Sequence, residues 1–124
     1  MRIVVIDDEV ELVRLFTTVL SEEGHEVRGA HDGRAGVQLL EQEAADLVIT
    51  DLLMPGNDGL EVITAVRQRW PQTRIIAMSG GGRGSPDMYL RMAREFGVQA
   101  SLTKPVGLDE LIATVQQLDQ PQES

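Results

Sequence analysis

Short apolar runs alternate with longer amphipathic stretches along the chain. Ile3–Ile6 is an unbroken apolar run closed by Asp7 and Asp8, the pattern of a strand buried on both faces. From Glu9 to Glu23, apolar residues fall at Val10, Val13, Leu15, Phe16, Val19 and Leu20. That is helical spacing, and Gly24 supplies a stop. His25–Ala30 reads as a weaker second strand. Asp32 stands where a helix cap is needed, ahead of Val37, Leu39 and Leu40. Leu47–Thr50 is a third buried strand, ending in Asp51, and Met54 to Gly59 is a loop rich in turn formers. Asp58 then opens a helix through Leu60, Val62, Ile63 and Val66, which must stop before Pro71. Arg74–Met78 is a fourth strand, ending in Ser79. Gly80–Gly84 holds four glycines in five residues; Ser85 caps and Pro86 begins a helix running to Phe96, with Gly97 as its stop. Val98–Thr103 is a fifth strand, ending at Lys104-Pro105, and Leu108–Leu118 is the last helix.

Five strand–helix pairs in strict alternation predict an α/β domain with a parallel sheet. The crossovers should be right-handed, which places five helices on both faces, a doubly wound arrangement. The 124 residues fit one domain, expected over residues 1–119, with 120–124 a polar tail or the start of a linker.

What ends each strand changes the picture. Asp7 and Asp8 close the first, Asp51 the third, Ser79 the fourth and Lys104 the fifth. Ligands of open parallel sheets bind outside the carboxyl ends of the strands. Three carboxylates, one hydroxyl and one ammonium therefore meet at one edge. At ~4 Å each carboxylate pair costs on the order of several kcal/mol in an effective dielectric near 20. Lys104 offsets part of this, and a divalent cation would offset the rest. An all-oxygen donor set suits Mg²⁺. Neither His25 nor His31 closes a strand, which argues against zinc. A carboxylate, Mg²⁺, a lysine and a hydroxyl form a phosphoryl-transfer set, in which positioning and charge neutralisation do the catalysis. Asp51 is then the nucleophile that forms an acyl phosphate. Lys104 and Mg²⁺ balance the phosphoryl oxygens, and Ser79 donates a hydrogen bond to one of them.

Composition removes other classes. The net charge of −9 should repel nucleic acid and anionic membranes. No apolar run approaches the ~20 residues of a membrane span. Absence of cysteine excludes a disulfide scaffold and thiol catalysis. The opening Met-Arg-Ile-Val-Val-Ile-Asp-Asp turns acidic too soon for a signal peptide, so a cytoplasmic location is expected. The glycine segment is no P-loop, because Lys-Ser/Thr does not follow its last glycine.

Ile6-Asp7-Asp8-Glu9, Asp51-Leu52-Leu53-Met54-Pro55 with Asp58-Gly59, then Ser79, then Lys104-Pro105 occur in that order. Over essentially the whole chain this resembles the response-regulator receiver family of two-component signalling. The resemblance implies a flavodoxin-like sheet of order 2-1-3-4-5. It implies a sensor histidine kinase or histidine phosphotransfer protein as donor. It also implies direct Mg²⁺ contacts from Asp8 and Asp51, with Asp7 acting partly through water and the Leu53 backbone carbonyl as a further ligand. Phosphorylation would draw Ser79 inward and reshape the face of the fourth helix, fifth strand and last helix (α4–β5–α5), where a downstream target or a second copy docks. Apart from self-phosphotransfer and autodephosphorylation, no enzymatic activity is implied.

Four positions depart from the family pattern. Ser101 stands where a Tyr or Phe is usual, so no aromatic flip can occur there, and Tyr89 is the nearest substitute. Gly80 and Gly81 open a glycine-rich segment after Ser79, expected to be an order–disorder switch. Leu53 and Gly81, at positions that tune dephosphorylation, offer no polar side chain to orient water. Two other functions compete. A Mg²⁺-dependent phosphohydrolase would want Asp-x-Asp where Asp51-Leu52-Leu53 stands, and a cap domain. A binding module would keep the fold without being phosphorylated.

Overall fold

The computed structural model describes residues 1–52, 59–80, 91 and 94–119. Five strands, β1 (Arg2–Ile6), β2 (Glu26–Ala30), β3 (Leu47–Asp51), β4 (Arg74–Ser79) and β5 (Ala100–Thr103), form one sheet in the order β2-β1-β3-β4-β5. Every pairing is parallel. The three inner strands are those with unbroken apolar runs, and β1, β3 and β4 are buried almost throughout. The edge strand β2 exposes Glu26 and Gly29, which explains its weaker sequence signal.

Alternate residues of each strand serve opposite faces. On one face, Ile3, Val5, Ile49, Ile76 and Met78 pack with Val13, Phe16 and Leu20 of α1 (Val10–Glu22) and with Leu111 and Val115 of the C-terminal helix (Leu108–Asp119). On the other, Val4, Ile6, Val48 and Ile75 pack with Leu40 of α2 (Gly33–Gln42) and with Val62, Ile63 and Val66 of α3 (Gly59–Arg69). The sheet is thus covered on both sides, as the doubly wound pattern requires. Four helices are complete among the described residues, against five expected. Of the helix predicted up to Phe96, Arg91, Arg94 and Glu95 are helical, while Ser85, Pro86 and Tyr89 lie outside the described residues.

The helix ends follow local chemistry. Asp32 Oδ1 accepts from the Ala35 N–H at 2.7 Å, the cap expected for α2. The stops at Gly24 and Gly97 adopt φ of +94° and +84°. Asp58, Met54, the turn-rich loop between Asp51 and α3, and residues 120–124 lie outside the described residues.

Two of the apolar positions whose spacing marks α1 lie off its buried stripe: Val10 and Leu15 are each 46% exposed. Val10 begins the helix where the sheet has already ended, and Leu15 is off the Val13–Phe16–Leu20 stripe. His25 is half-buried, with Nδ1 3.0 Å from the Met1 amino group.

Candidate functional site

The strand order reverses between β1 and β3, the switch point where such sheets open a crevice at their carboxyl ends. Ile6 pairs with Thr50, so the residues that follow, Asp7 and Asp51, emerge side by side. Asp7 N–H donates to Ala30 O at 3.1 Å, extending the ladder one step past β1. This holds the Asp7 side chain inside, wholly buried, and alternation turns Asp8 out to solvent. Asp51, the last residue of β3, is 5% exposed. Gly59 N–H donates to Leu52 O at 3.0 Å, and a Cβ on Gly59 would collide with the Asp51 carbonyl. Only glycine lets α3 begin so close to this aspartate.

Ser79 closes β4, buried. Lys104 follows β5, and its backbone N–H donates to Ser79 O at 2.7 Å. The Lys104–Pro105 peptide is cis. Gly80 follows Ser79 at φ +135°, where a Cβ would come within 2.9 Å of Lys104 O. Ser79, Gly80 and Lys104 are therefore locked together through their backbones. Ser101 lies within β5, half-buried and paired with Ala77. Leu53 and Gly81, also predicted to matter, lie outside the described residues.

The Lys104 ammonium sits 2.7 Å from Asp7 Oδ2, 3.4 Å from Asp51 Oδ2 and 3.5 Å from Glu9 Oε1. One cation is shared by three carboxylates, and a fourth, Asp8, is close by. Asp7 Oδ1 accepts from the Glu9 N–H at 2.9 Å. Burial dominates at Asp7 and raises its pKa, although Lys104 and the Glu9 N–H oppose this. Burial also works against the charge of Lys104. Its contact with Asp7 and the charges of Asp51, Asp7 and Glu9 outweigh that, so its pKa is raised as well. A lysine held firmly charged beside an aspartate still reluctant to ionise marks a site with too few positive charges.

Asp7, Asp8 and Asp51 each place one carboxylate oxygen within 4.8 Å of the others, a group that could hold a metal ion. Among the described residues, Asp7 Oδ2 is buried without an aligned hydrogen bond and lies 2.7 Å from the Lys104 ammonium. An all-oxygen set with a spare buried lone pair fits a hard divalent cation. Sequence reasoning missed Glu9 as a member of the site; its only signal was its place directly after Asp8.

The response regulator receiver domain model matches residues 3–116. Among solved structures, the receiver domain of NtrX from Brucella abortus is 30% identical, with a TM-score of 0.86 over 94% of this chain and 96% of that one. Vibrio cholerae chemotaxis protein CheY4 is 26% identical, with a TM-score of 0.83 over 94% of this chain and 97% of that one. Against longer NtrX from Brucella abortus, crystallised in complex with ATP, the identity is 29%, the TM-score is 0.86 and 94% of this chain is covered. This chain spans only 26% of that protein. No helix among the described residues is long and apolar enough to cross a membrane. With the family model matched over nearly its whole length and the acidic pocket in place, the chain belongs to the response regulator receiver domain family.

Proposed function

We propose that this chain is a phosphorylation-dependent signalling switch in which Asp51 accepts a phosphoryl group beside Mg²⁺. The observation that carries the reading is the charge deficit: one ammonium, Lys104, within 3.5 Å of Asp7, Asp51 and Glu9. Asp8 and Asp51 would ligate Mg²⁺ directly and Asp7 partly through water, with the Leu53 carbonyl completing the protein's share. When bound, Mg²⁺ neutralises charge on the carboxylates and on the phosphoryl oxygens.

An Asp51 carboxylate oxygen attacks phosphorus, the bond from phosphorus to the donor imidazole nitrogen breaks, and an acyl phosphate forms while the imidazole leaves with its electron pair. Lys104 pairs with one phosphoryl oxygen and the Ser79 hydroxyl donates to another. A cleft of about 450 Å³ beside Lys104, floored by Leu12, Leu15 and Phe16, gives a donor segment room to reach the site. The donor is a sensor histidine kinase or histidine phosphotransfer protein. The output is a changed surface around the fourth helix, β5 and the C-terminal helix, engaging a downstream protein or a second copy. With Ser101 in β5, that change proceeds without an aromatic rotation there. Residues 1–119 form the switch, working in the cytoplasm and free of nucleic acid and membrane. Its only chemistry is its own phosphorylation and dephosphorylation.

Incubation with acetyl phosphate and Mg²⁺, followed by intact-mass measurement, tests this. A gain of one phosphoryl group, absent without Mg²⁺ and absent in Asp51→Asn, is expected. No gain with acetyl phosphate or any phosphohistidine donor would sink the reading in favour of a binding module.

A further inference from the structure

Glu9 occupies the N-cap position of α1, with extended backbone angles of φ −81° and ψ 104°, yet its side chain makes no capping hydrogen bond. Asp, Ser, Thr or Asn would serve that position better. The Glu9 carboxylate instead reaches across to Lys104, 3.5 Å away. The three carboxylates on Lys104 differ sharply in freedom. The Asp7 side chain is 0% exposed and that of Asp51 8%, while that of Glu9 is 62% exposed. Asp7 and Asp51 are held at the ends of inner strands. Glu9 can leave for water at little cost.

We propose that Glu9 is a positioning residue that occupies Lys104 in the unphosphorylated protein and competes with the incoming phosphoryl group for it. A phosphoryl group on Asp51 brings further anionic oxygens to an ammonium already sharing its charge. One contact must give way, and Glu9 is the one whose departure neither buries a bare charge nor bends a strand. Glu9 thereby sets how readily Lys104 accepts the phosphoryl group. This rests on the reading of Asp51 as phosphoacceptor.

The test uses beryllofluoride, a phosphoryl mimic that binds carboxylate, titrated into the full chain at saturating Mg²⁺ and followed by calorimetry and fluorine NMR. Two substitutions separate contact from charge and from helix stability. Glu9→Gln keeps the length and removes the charge. Glu9→Asp keeps the charge, is one methylene too short for Lys104, and takes up the neglected cap, so its thermal midpoint should rise. Both are expected to bind beryllofluoride tighter by about two- to threefold, the scale of a largely exposed ion pair. Unchanged affinity in both overturns the proposal. So does tightening in Glu9→Gln alone, which would reflect net charge only. So do opposite shifts that follow the thermal midpoint. A wild type that binds no beryllofluoride, indistinguishable from Asp51→Asn, overturns the phosphoacceptor reading and this one with it. Normal wild-type binding with unshifted Glu9 variants overturns this one alone.

Discussion

The two ends of the sheet carry charge in opposite ways. At the amino end, Arg2 pairs with Glu26 at 3.4 Å and Glu43 at 3.7 Å, all three side chains at least half exposed. Asp46 accepts the Arg2 N–H at 2.8 Å, returns its own N–H to Arg2 O at 2.8 Å, and accepts from Arg74 N–H at its carbonyl. These groups complete backbone hydrogen bonding in reach of water. At the carboxyl end, Asp7, Asp51 and Lys104 have side chains 0%, 8% and 12% exposed, and the negative charges outnumber the positive. Exposed pairs are worth little and cost little. Buried, unmatched ones are expensive, and a folded protein keeps them where a ligand will complete the set.

The largest expected difference between the two ends is functional. Asp51→Asn should abolish phosphoryl uptake from acetyl phosphate, while Asp46→Asn, at the other end of the same sheet, should leave it intact by intact mass. Loss in both would mean that the ends are not separable. Next comes Lys104→Ala, which strips the one cation from buried carboxylates. Breaking a buried pair costs about 3–5 kcal/mol, whereas Arg2→Ala should cost less than about 1 kcal/mol. Urea unfolding of both variants, without and with Mg²⁺, decides it. Mg²⁺ should restore part of the loss in Lys104→Ala and none in Arg2→Ala.

Asp7 sharpens the contrast with a sign. Its raised folded pKa means that the folded protein binds more protons than the unfolded chain between the unfolded value of 3.8 and the folded one. Stability of the metal-free protein therefore falls as pH rises through that window and is gained on acidification through it. Asp7→Asn should stabilise the metal-free protein at neutral pH, flatten that slope, and remove most of the added stability that Mg²⁺ gives the wild type. Thermal midpoints across pH, with Mg²⁺ or a chelator, measure all three. A destabilised Asp7→Asn would show that the Lys104 pair outweighs burial.

How far the sequence reached follows the same division. Unbroken apolar runs betrayed β1, β3 and β4 because inner strands of a parallel sheet are buried on both faces. The residues just past them, Asp7, Asp51, Ser79 and Lys104, followed from that reading and from topology. Glu9 did not, because its contact with Lys104 spans 95 positions and depends on where the turns after β1 and β5 set two backbones. Nor did the burial contrast between Asp7 and Asp8, which hangs on one further ladder bond to Ala30. Val10 misled because periodicity registers the phase of a helix but not where the sheet beneath it ends.

The smallest effect lies at the amino end, where the comparison predicts weak electrostatics without a functional partner. His25 there has a displaced titration in the range between neutral and mildly acid pH. Burial lowers its pKa first, the Met1 amino group lowers it further, and Asp119 and Glu23 pull the other way. Well above the unfolded value of 6.5 the ring is uncharged in both states, so it costs nothing. As pH falls through the unfolded value of 6.5 toward the lower folded one, the unfolded chain takes up the proton first, and stability declines. The residue is only half-buried, whereas Asp7 is wholly buried, so the decline should be smaller than the Asp7 effect. His25→Asn should remove it while leaving Mg²⁺ stabilisation and phosphoryl uptake unchanged. A slope that survives the substitution would place the titration elsewhere. A loss of phosphoryl uptake would couple the two ends through the length of β1, and charge at the amino end would then serve more than the completion of backbone hydrogen bonds.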